Sequence, residues 1–258
     1  MTAAQLLTTI SVALLLQVLL GAAFALWKRK GAVAPTVVDA APMAAKVDSA
    51  WSGWRDFRVV RREWEDANQS QCSFYLEPVD GAALKPFKPG QFLTFSLPVS
   101  PERSVTRCYS LSDAPHPQHF RITVKRAVAP DHLPDVLPGV ASSHLHDQVQ
   151  VGAVLAVRAP SGHFFLHTDS EVPVVLIGGG IGITPMMSML AWSLQMQPTR
   201  VVHLFYGVRN GTDHAFKSVL ESLRSATLTC TCILFTAAQG LQMHWVRTIS
   251  IQGTLISA

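Results

Sequence analysis

The stretch that decides the fold of this chain is Glu171–Leu190, which reads EVPVVLIGGGIGITPMMSML. It opens with a short apolar run, Val174–Ile177, which predicts a strand buried on both faces. A turn rich in glycine follows, and its backbone can come close to a ligand because glycine has no side chain; the glycines are Gly178, Gly179, Gly180 and Gly182. A helix is predicted next, with Thr184 as its N-cap and Pro185 at its first position, where the missing N–H costs nothing.

A strand, a glycine loop and a helix N-terminus in this order predict an anion site, because free N–H groups and the helix dipole both favour phosphate. The stretch contains no Gly-Lys-Ser/Thr, which excludes a P-loop. The dinucleotide fingerprint G-x-G-x-x-G is only partly met, since Gly180 and Gly182 are followed by Pro185 where the third glycine belongs. A phosphate loop and an ordinary glycine turn of an α/β domain are both open on this stretch alone.

Composition excludes several classes of protein. The chain has 258 residues, of which 48% are hydrophobic and 15% are charged, and its net charge is +4. The positive charges are spread along the sequence and do not form a basic stripe with interleaved aromatic residues, so nucleic acid is not an expected partner. The cysteines lack metal-ligand spacing and are predicted to be reduced thiols of a cytosolic fold; they are Cys72, Cys108, Cys230 and Cys232.

The N-terminal segment predicts a membrane anchor. Ala3–Trp27 carries no charge and is long enough to cross the lipid bilayer as a helix, and Lys28-Arg29-Lys30 follows it at once. By the positive-inside rule the rest of the chain would face the cytoplasm. The alternative is a signal peptide cleaved at Ala23-Phe24-Ala25, although it would lack a charged n-region. We therefore expect an anchor over residues 1–30 and a linker rich in Ala, Val and Pro over residues 31–50.

Residues 51–168 show short alternating runs separated by Pro, Gly and Asp, which predict a six-stranded antiparallel β-barrel. A short helix is expected to begin near Ser142 and to cover one end of the barrel. The predicted strands are Asp56–Arg62, Cys72–Pro78, Phe92–Leu97, Cys108–Ser112, Phe120–Arg126 and Val154–Ala159.

Arg107-Cys108-Tyr109-Ser110 is the candidate ligand motif of this barrel. On a strand, Arg107 and Tyr109 point to one face and Ser110 to the other. A tyrosine ring can lie flat on a planar heterocycle, and a nearby arginine can bind phosphate through its planar fork. The ordinary alternative is a surface arginine beside a core tyrosine.

Several motifs together resemble the ferredoxin–NADP reductase superfamily, in which they occur in this order. The likeness is greatest to the reductase half of flavohemoglobins and of related reductases that carry a ferredoxin domain, and it covers roughly residues 53–235. Besides the glycine loop, the motifs are Lys88–Phe92, Arg107–Leu111, Ile122–Arg126, Gly139–His146 and Ala159–Phe165.

The resemblance implies an FAD site on the barrel. Tyr109 would stack on the isoalloxazine and Ser110 would form a hydrogen bond near the flavin N5, so these two would be the residues at the reacting centre. Arg107 would hold the pyrophosphate, Lys125 would lie near the phosphate or the adenine, and His163 and Phe164 would lie near the inner edge between the domains. Other residues expected to line the site are Cys108, Gly139, Val140, Ala141 and Ser142. Metal binding is not expected, because the spacing of His144 and His146 splits them between helix faces.

Residues 169–258 alternate strands and helices, which predicts a parallel sheet with right-handed crossovers. The expected elements after the glycine loop are a helix over Pro185–Met196, a strand over Val201–Tyr206, a helix from Thr212 or Asp213 to Ser225, and a strand over Leu228–Phe235.

The resemblance implies that this second domain binds NADH or NADPH. The pyrophosphate would be cradled by the loop residues Gly179, Gly180, Ile181, Gly182, Ile183 and Thr184. Arg209 either meets a 2′-phosphate or is an ordinary surface charge, and no acidic residue marks the ribose hydroxyl. The choice of nucleotide stays open, with a slight preference for NADH.

The C-terminal end departs from the family. The usual closing motif, Cys-Gly-Pro on a later strand, is absent, and His244–Ile251 is the candidate for a further strand. We therefore expect an incomplete dinucleotide domain in which the pyrophosphate half of the pocket is present and the nicotinamide half is in doubt.

The sequence as a whole favours a membrane-anchored, FAD-dependent NAD(P)H oxidoreductase. Its acceptor would be a separate iron–sulfur or haem protein or a small molecule, because neither a globin nor a ferredoxin cysteine cluster is recognisable in the chain. One alternative is a non-catalytic or impaired FAD-binding membrane module with a broken nicotinamide site. Another is a shortened product that never folds fully, whose open sheet edge would aggregate.

Overall fold

The computed structural model describes residues 51–129, 135–209 and 211–225 and the strands 230–237 and 243–250. Within these ranges, no helix is long and apolar enough to span a bilayer. The predicted anchor Ala3–Trp27 and the linker 31–50 lie outside the described residues.

The first domain is a six-stranded antiparallel sheet in the order β4-β3-β6-β1-β2-β5. A bridge between Leu111 and Ile122 joins the two edge strands just beyond β4, which curls the sheet towards a barrel. The six predicted strands are confirmed, but β4 begins well before Cys108 because it forms a hairpin with β3. The strands are β1 (Arg55–Trp64), β2 (Gln71–Pro78), β3 (Phe92–Ser100), β4 (Arg103–Ser110), β5 (Phe120–Lys125) and β6 (Val154–Ser161).

Alternate side chains of these strands fill the barrel. Trp51 covers one side of this core, with its ring centroid 5.4 Å from that of Phe57 and its indole N–H donating to Val157 O at 3.2 Å. Burying each such large apolar side chain stabilises the fold by roughly 1.5–3 kcal/mol, so this core is the main support of the domain. Its fully buried members include Phe57, Phe74, Leu76, Leu93, Phe95, Leu97, Phe120, Ile122 and Val157.

A short helix, α1 (Val140–Asp147), lies against β3 and β5. It begins two residues before the predicted start at Ser142, with Gly139 as its N-cap. The Ser142 hydroxyl fixes this start, because it donates to Gly139 O at 2.9 Å and accepts from the Ala127 N–H at 3.1 Å. Leu145 anchors the other face of the helix in the barrel core.

The second domain is a four-stranded sheet in the order β10-β9-β8-β7. The strands β7 (Val174–Gly179), β8 (Val202–Val208) and β9 (Cys230–Ala237) are parallel, which confirms the predicted sheet. The candidate strand at His244–Ile251 is present as β10 (Met243–Ser250), which runs antiparallel to β9 on the far side from β7. The helices are α2 (Thr184–Met196) and α3 (Lys217–Ser225).

Two expectations for this domain are wrong. The strand β7 is not buried on both faces, since Val175 is 55% and Ile177 is 69% exposed. The reason is that Val175 and Ile177 point to the face opposite that of Leu176, and the buried core of the domain packs on the Leu176 face. β7 is also an edge strand, paired among the described strands with β8 alone. The helix α3 begins four residues after Asp213, because the chain first makes a 3₁₀ turn, Gly211–Asp213, and then bends at Phe216, whose φ is +58°.

The barrel and the second domain meet along α2. Gly90 has a φ of +106°, and a Cβ at this position would collide with the Met189 methyl and lie 2.7 Å from Phe164 O. Only glycine therefore fits here, where the chain passes the backbone of Phe164 and meets the Met189 methyl of α2. The Ser188 hydroxyl of α2 donates to Asp113 O of the barrel at 2.7 Å, which joins the domains directly.

The buried imidazole of His146 predicts a loss of stability in acid. Burial lowers its pKa below the ordinary 6.5, against the opposing effect of the hydrogen bond to Val124 O. Nε2 donates to that carbonyl at 3.0 Å, and Nδ1 has no partner among the described residues, so a second proton would be unsatisfied. Because the unfolded chain takes the proton more readily, this stability is complete above about pH 6.5 and falls as the pH drops.

Urea unfolding of the wild type should therefore show a lower midpoint at pH 5.5 than at pH 7.5. His146→Gln keeps a donor for Val124 O, and we expect it to reduce this difference between the midpoints. The control is His163→Gln, which removes an exposed imidazole. An equal difference in His146→Gln and the wild type would contradict the prediction.

Candidate functional site

Tyr109 lies near the end of β4, opposite Leu93 of β3. Its half-buried ring meets Phe95 edge-on, with 5.7 Å between the centroids. Burial raises the pKa of Tyr109 to about 12, with the charge of Arg107 acting in the opposite direction. The hydroxyl is therefore neutral over the physiological range, so the side chain offers an aromatic surface and not a base.

Arg107 is exposed on the same strand, and its guanidinium donates to Thr106 O at 2.8 Å. In the part of the chain that the structure describes, no carboxylate forms an ion pair with it. Cys108 is exposed with its Sγ 3.4 Å from Thr94 Oγ1, and Ser110 is half-buried. An aromatic ring thus lies beside a cation that no acid neutralises, which suits a phosphate-bearing heterocycle.

The start of α1 adds N–H donors to the barrel. The first N–H groups of the helix, those of Val140, Ala141 and Ser142, have no acceptor within the helix, and the first turn contains no acidic residue. A Cβ at Gly139 would lie 2.7 Å from Ala127 Cβ and 2.8 Å from Ser142 Oγ, so this position requires glycine. These donors fit an anion such as the pyrophosphate of FAD.

Lys125, a predicted FAD residue, also contacts the second domain. Its ammonium lies 3.7 Å from Asp213 Oδ2 in the second domain. A role near the phosphate or the adenine stays a prediction, whereas the ion pair across the domain boundary is observed. His163 and Phe164 are both exposed, close to the approach of Gly90 to the second domain.

The glycine loop has the predicted order of strand, turn and helix. β7 ends at Gly179, a 3₁₀ turn covers Gly180–Ile183, and α2 follows with Pro185 in its first turn. The N-cap is Ile183 and not Thr184, because Thr184 already has helical dihedrals and its hydroxyl donates to Ile181 O at 3.1 Å. The order of strand, turn and helix start is as expected for an anion site, and the binding of an anion here stays a prediction.

The surroundings of the glycines show where a ligand could approach. A Cβ at Gly178 would lie 3.0 Å from Ile183 Cα, so packing inside the protein requires this glycine. At Gly179, Gly180 and Gly182 a Cβ would meet no heavy atom within 4 Å. The φ of +50° at Gly180 favours glycine there, whereas neither packing nor a positive φ explains Gly179 and Gly182. The open space beside them fits the pyrophosphate of a dinucleotide.

Arg209 is exposed directly after β8. Because β7 and β8 are parallel, with Gly179 opposite Gly207, Arg209 lies at the same edge of the sheet as the glycine loop. Open α/β sheets bind nucleotides at this edge, so Arg209 is suitably placed for the predicted contact with the adenosine part of the nucleotide. The contact itself stays a prediction.

The structure shows no metal centre among the described residues, where no three His, Cys, Asp or Glu side chains cluster. His144 and His146 both lie on α1, and the latter is committed to Val124 O. Of the cysteines whose side chains are described, Cys72 is buried and Cys108 is exposed, and both are free thiols.

Sequence reasoning missed two features next to this site. An apolar cavity of about 770 Å³ borders the exposed face of β7, lined by residues that include Phe164, Phe165, Val175, Ile177, Met186 and Met189. A polar cluster around Asp213 joins the domains through Asn68, which is 145 residues away in sequence. The absence of the Cys-Gly-Pro motif is the only feature of the sequence that could have indicated the cavity beside β7. No pattern in the sequence indicates the polar cluster around Asp213.

Comparison with known families assigns both domains. Residues 57–166 match the oxidoreductase FAD-binding domain, and residues 176–257 match the oxidoreductase NAD-binding domain. Together with the geometry, these matches give the chain an FAD site on the barrel and an NAD(P)H site on the second domain.

Relatives of known sequence are flavohemoproteins. The chain is 44% identical to the flavohemoprotein of Chromobacterium violaceum over 181 residues, which is 70% of this chain and 43% of the relative. It is 42% identical to that of Bacillus cereus, also over 181 residues, with 70% and 44% covered. The chain thus spans less than half the length of these relatives.

Solved structures show the same fold. The flavohem-like FAD/NAD-binding domain of nitric oxide dioxygenase from Vibrio cholerae superposes with a TM-score of 0.63 at 29% identity, over 79% of this chain and 80% of that one. Phthalate dioxygenase reductase, named for electron transfer from pyridine nucleotides to [2Fe-2S], gives a TM-score of 0.55 at 27% identity, with 70% and 51% covered.

Substitutions at two neighbouring glycines should distinguish a role in packing from a role in ligand binding. Gly178→Ala forces Cβ against Ile183 and should lower the free energy of unfolding by about 1–3 kcal/mol. Gly179→Ala adds a methyl in open space, so we expect stability within about 0.5 kcal/mol of the wild type. It should nevertheless weaken binding of ADP-ribose about tenfold or more, as measured by calorimetry. Unchanged ADP-ribose affinity in Gly179→Ala would remove the loop from the binding site.

Proposed function

The chain belongs to the ferredoxin–NADP reductase superfamily, and from this premise we propose that it is a flavoprotein reductase that passes electrons from NAD(P)H through FAD to a haem or iron–sulfur acceptor. One observation supports the proposal above the others. An aromatic and cationic platform, Tyr109 with Arg107, and an open glycine loop occur on two domains that are joined by the bond from Ser188 to Asp113.

The barrel residues would hold FAD in a fixed orientation. Tyr109 would stack on the isoalloxazine, and its neutral hydroxyl takes no part in proton transfer. Ser110 would donate a hydrogen bond to the flavin, while Arg107 and the N–H groups at the start of α1 would neutralise the pyrophosphate. When bound, FAD accepts a hydride from NAD(P)H and can release the electrons singly.

The second domain would hold the nucleotide by its pyrophosphate at Gly179–Thr184. The family context gives a slight preference for NADH. Arg209 is the residue that would accept a 2′-phosphate if NADPH were used.

The acceptor in our proposal is a separate protein that carries haem or an iron–sulfur cluster. Two relatives support this class: flavohemoproteins by name, and phthalate dioxygenase reductase by its transfer to [2Fe-2S]. We further propose that Ala3–Trp27 anchors the enzyme to a membrane with its domains in the cytoplasm, on the strength of the uncharged segment and Lys28-Arg29-Lys30 after it.

One observation favours a second candidate function, an FAD-binding module that turns over NAD(P)H poorly. Among the described strands β7 pairs with β8 alone, so its other edge borders the apolar cavity, and β10 pairs on the opposite side of the sheet. In a doubly wound sheet a further strand next to the first one completes the crevice in which the ligand binds. No strand of the described residues takes that place, so in this candidate function the pyrophosphate contacts would remain while the nicotinamide ring would lack a wall.

The Tyr109 side chain gives the test for flavin binding. Tyr109→Ala should reduce FAD occupancy, since the loss of one aromatic pair costs roughly 0.5–1.5 kcal/mol beyond its area burial. Tyr109→Phe keeps the ring, so it should retain the yellow colour and the absorption spectrum of the wild type. The same preparations, assayed with ferricyanide and either NADH or NADPH, show whether the bound flavin is reduced. A colourless wild type that takes up no added FAD would contradict the proposal.

The anchor has its own test. A reporter that is active only in the cytoplasm, fused to Ala258, should give signal in membranes that contain the uncleaved chain. Exchange of Lys28, Arg29 and Lys30 for Gln should scramble the orientation and lower the signal, because these charges determine it. A mature N-terminus near Leu26 would establish a cleaved signal peptide instead.

A further inference from the structure

We propose that Asp213 is a positioning residue, which fixes the angle between the barrel and the second domain and thereby the alignment of the two cofactors. The inference deepens the proposed function and rests on it. Asp213 ends the 3₁₀ turn that follows β8, so it belongs to the second domain. Its polar atoms nevertheless bind side chains of the barrel.

The contacts of Asp213 cross the domain boundary at three points. Asn68 Nδ2 donates to Asp213 Oδ1 at 2.9 Å and also lies 2.9 Å from Thr212 Oγ1. Gln71 Nε2 donates to Asp213 O at 2.9 Å, and Lys125 Nζ lies 3.7 Å from Asp213 Oδ2. We call these five residues the domain latch.

Burial makes the domain latch more than a surface ion pair. The side chain of Asp213 is 18% exposed and that of Lys125 is 28% exposed, while Gln71 is fully buried. Isolated exposed ion pairs contribute little to stability. Here one carboxylate is shared by the Lys125 ammonium and the exposed Asn68 amide, so its loss would remove the ion pair and one of the two acceptors of that amide at once.

The barrel side of the domain latch is held rigid by Asp66. Its Oδ1 accepts the N–H groups of Ser70 at 2.9 Å and Gln71 at 2.8 Å, and its Oδ2 accepts the Ser70 hydroxyl at 2.6 Å. Within this turn Gln69 adopts a φ of +52°, which few residues other than glycine tolerate. Asp213 therefore binds to a preformed surface, so its contacts can fix a domain angle.

The chain beyond Asp213 connects the domain latch to the site. Phe216 is fully buried, and its ring centroid lies 5.3 Å from the guanidinium carbon of Arg121 in the barrel. Arg121 Nε donates to Ser112 Oγ at 3.2 Å and lies 3.5 Å from Asp113 Oδ2. Asp113 O in turn accepts from Ser188 of α2. The domain latch, the end of β4 and the helix α2 thus form one continuous set of contacts.

This arrangement separates binding from alignment. FAD would bind within the barrel and the pyrophosphate of the nucleotide within the second domain, so neither affinity depends on the angle between them. Transfer between the cofactors does depend on it, since a misplacement of about 1 Å can slow a reaction about 100-fold. Loss of the latch should therefore lower the rate of flavin reduction and leave both affinities unchanged.

The kinetic test uses Asp213→Ala and Asp213→Asn in the full-length, FAD-loaded chain. In stopped flow with NADH, Asp213→Ala should reduce the flavin about 10- to 100-fold more slowly, with FAD content and ADP-ribose affinity within twofold of the wild type. Asp213→Asn keeps the acceptor for Asn68 and should have a smaller effect. The matched control is Glu221→Gln, which removes a 61% exposed carboxylate of the same domain and should reduce at the wild-type rate.

A second readout needs no cofactor. In a chain whose exposed Cys108 is exchanged for Ser, nitroxide labels on cysteines introduced at the exposed positions Val151 and Met196 report the distance between the domains by pulsed electron resonance. We expect a narrow distance distribution in the wild type and a broader one in Asp213→Ala. Exchange of the charges, Asp213→Lys with Lys125→Asp, should narrow the distribution again and restore part of the rate.

The two readouts separate failure of this inference from failure of the proposed function. If the wild type is not reduced by either nucleotide, the function is wrong, and the distance distributions still decide the role of Asp213. Equal distributions in wild type and Asp213→Ala would overturn the inference. A loss of rate that merely follows a loss of FAD would overturn it as well.

Discussion

The hydrogen bond from Ser188 Oγ to Asp113 O is the contact on which the arrangement of the site depends. Asp113 lies three residues after Ser110, the last residue of β4, which carries Tyr109. Ser188 lies one helical turn after Thr184, the first residue of α2. A single bond thus ties the two ligand-binding segments together. The approach of Gly90 to Met189 and the cluster around Asp213 fix the same boundary at other points. Each domain has its own apolar core, so we expect the loss of any one of these contacts to leave both domains folded and to change the alignment between them.

Local chemistry explains what the sequence could predict. The six barrel strands follow from alternation and turn residues, and the loop at Gly178–Thr184 follows from glycine and proline at the end of an apolar run. Predictions were wrong where the structure depends on contacts between residues that are far apart in the sequence. Val175 and Ile177 are exposed because the core of the domain packs on the opposite face of β7, and α3 starts late because Phe216 is buried against Arg121. The ion pair of Lys125 with Asp213 could not be predicted either, because the two residues are 88 positions apart and no motif links them; the role of Lys125 near FAD stays a prediction.

The position of β10 matters for the chemistry. It extends the sheet on the β9 side, so the carboxyl edge next to the glycine loop gains no wall from it. Pyrophosphate contacts bind the ground state and the transition state alike, and by themselves they lower KM without raising kcat. Alignment of the nicotinamide with the flavin belongs to the transition state, where it can be worth on the order of 7 kcal/mol. Binding and turnover of the nucleotide can therefore differ strongly in this chain, and the latch residues determine how much alignment is retained.

Reduction of the bound flavin by NADH and NADPH, followed by anaerobic rapid mixing beside a titration with ADP-ribose, tests the central claim most directly. If the chain is a working reductase, the rate at which the flavin absorbance bleaches should saturate as the nucleotide concentration rises. The concentration that gives half of the maximal rate should be close to the dissociation constant of ADP-ribose. Tight ADP-ribose binding with bleaching that is slow at saturation would identify the impaired module. An FAD-loaded protein that neither binds ADP-ribose nor bleaches with either nucleotide would contradict the assignment of the glycine loop and, with it, the function.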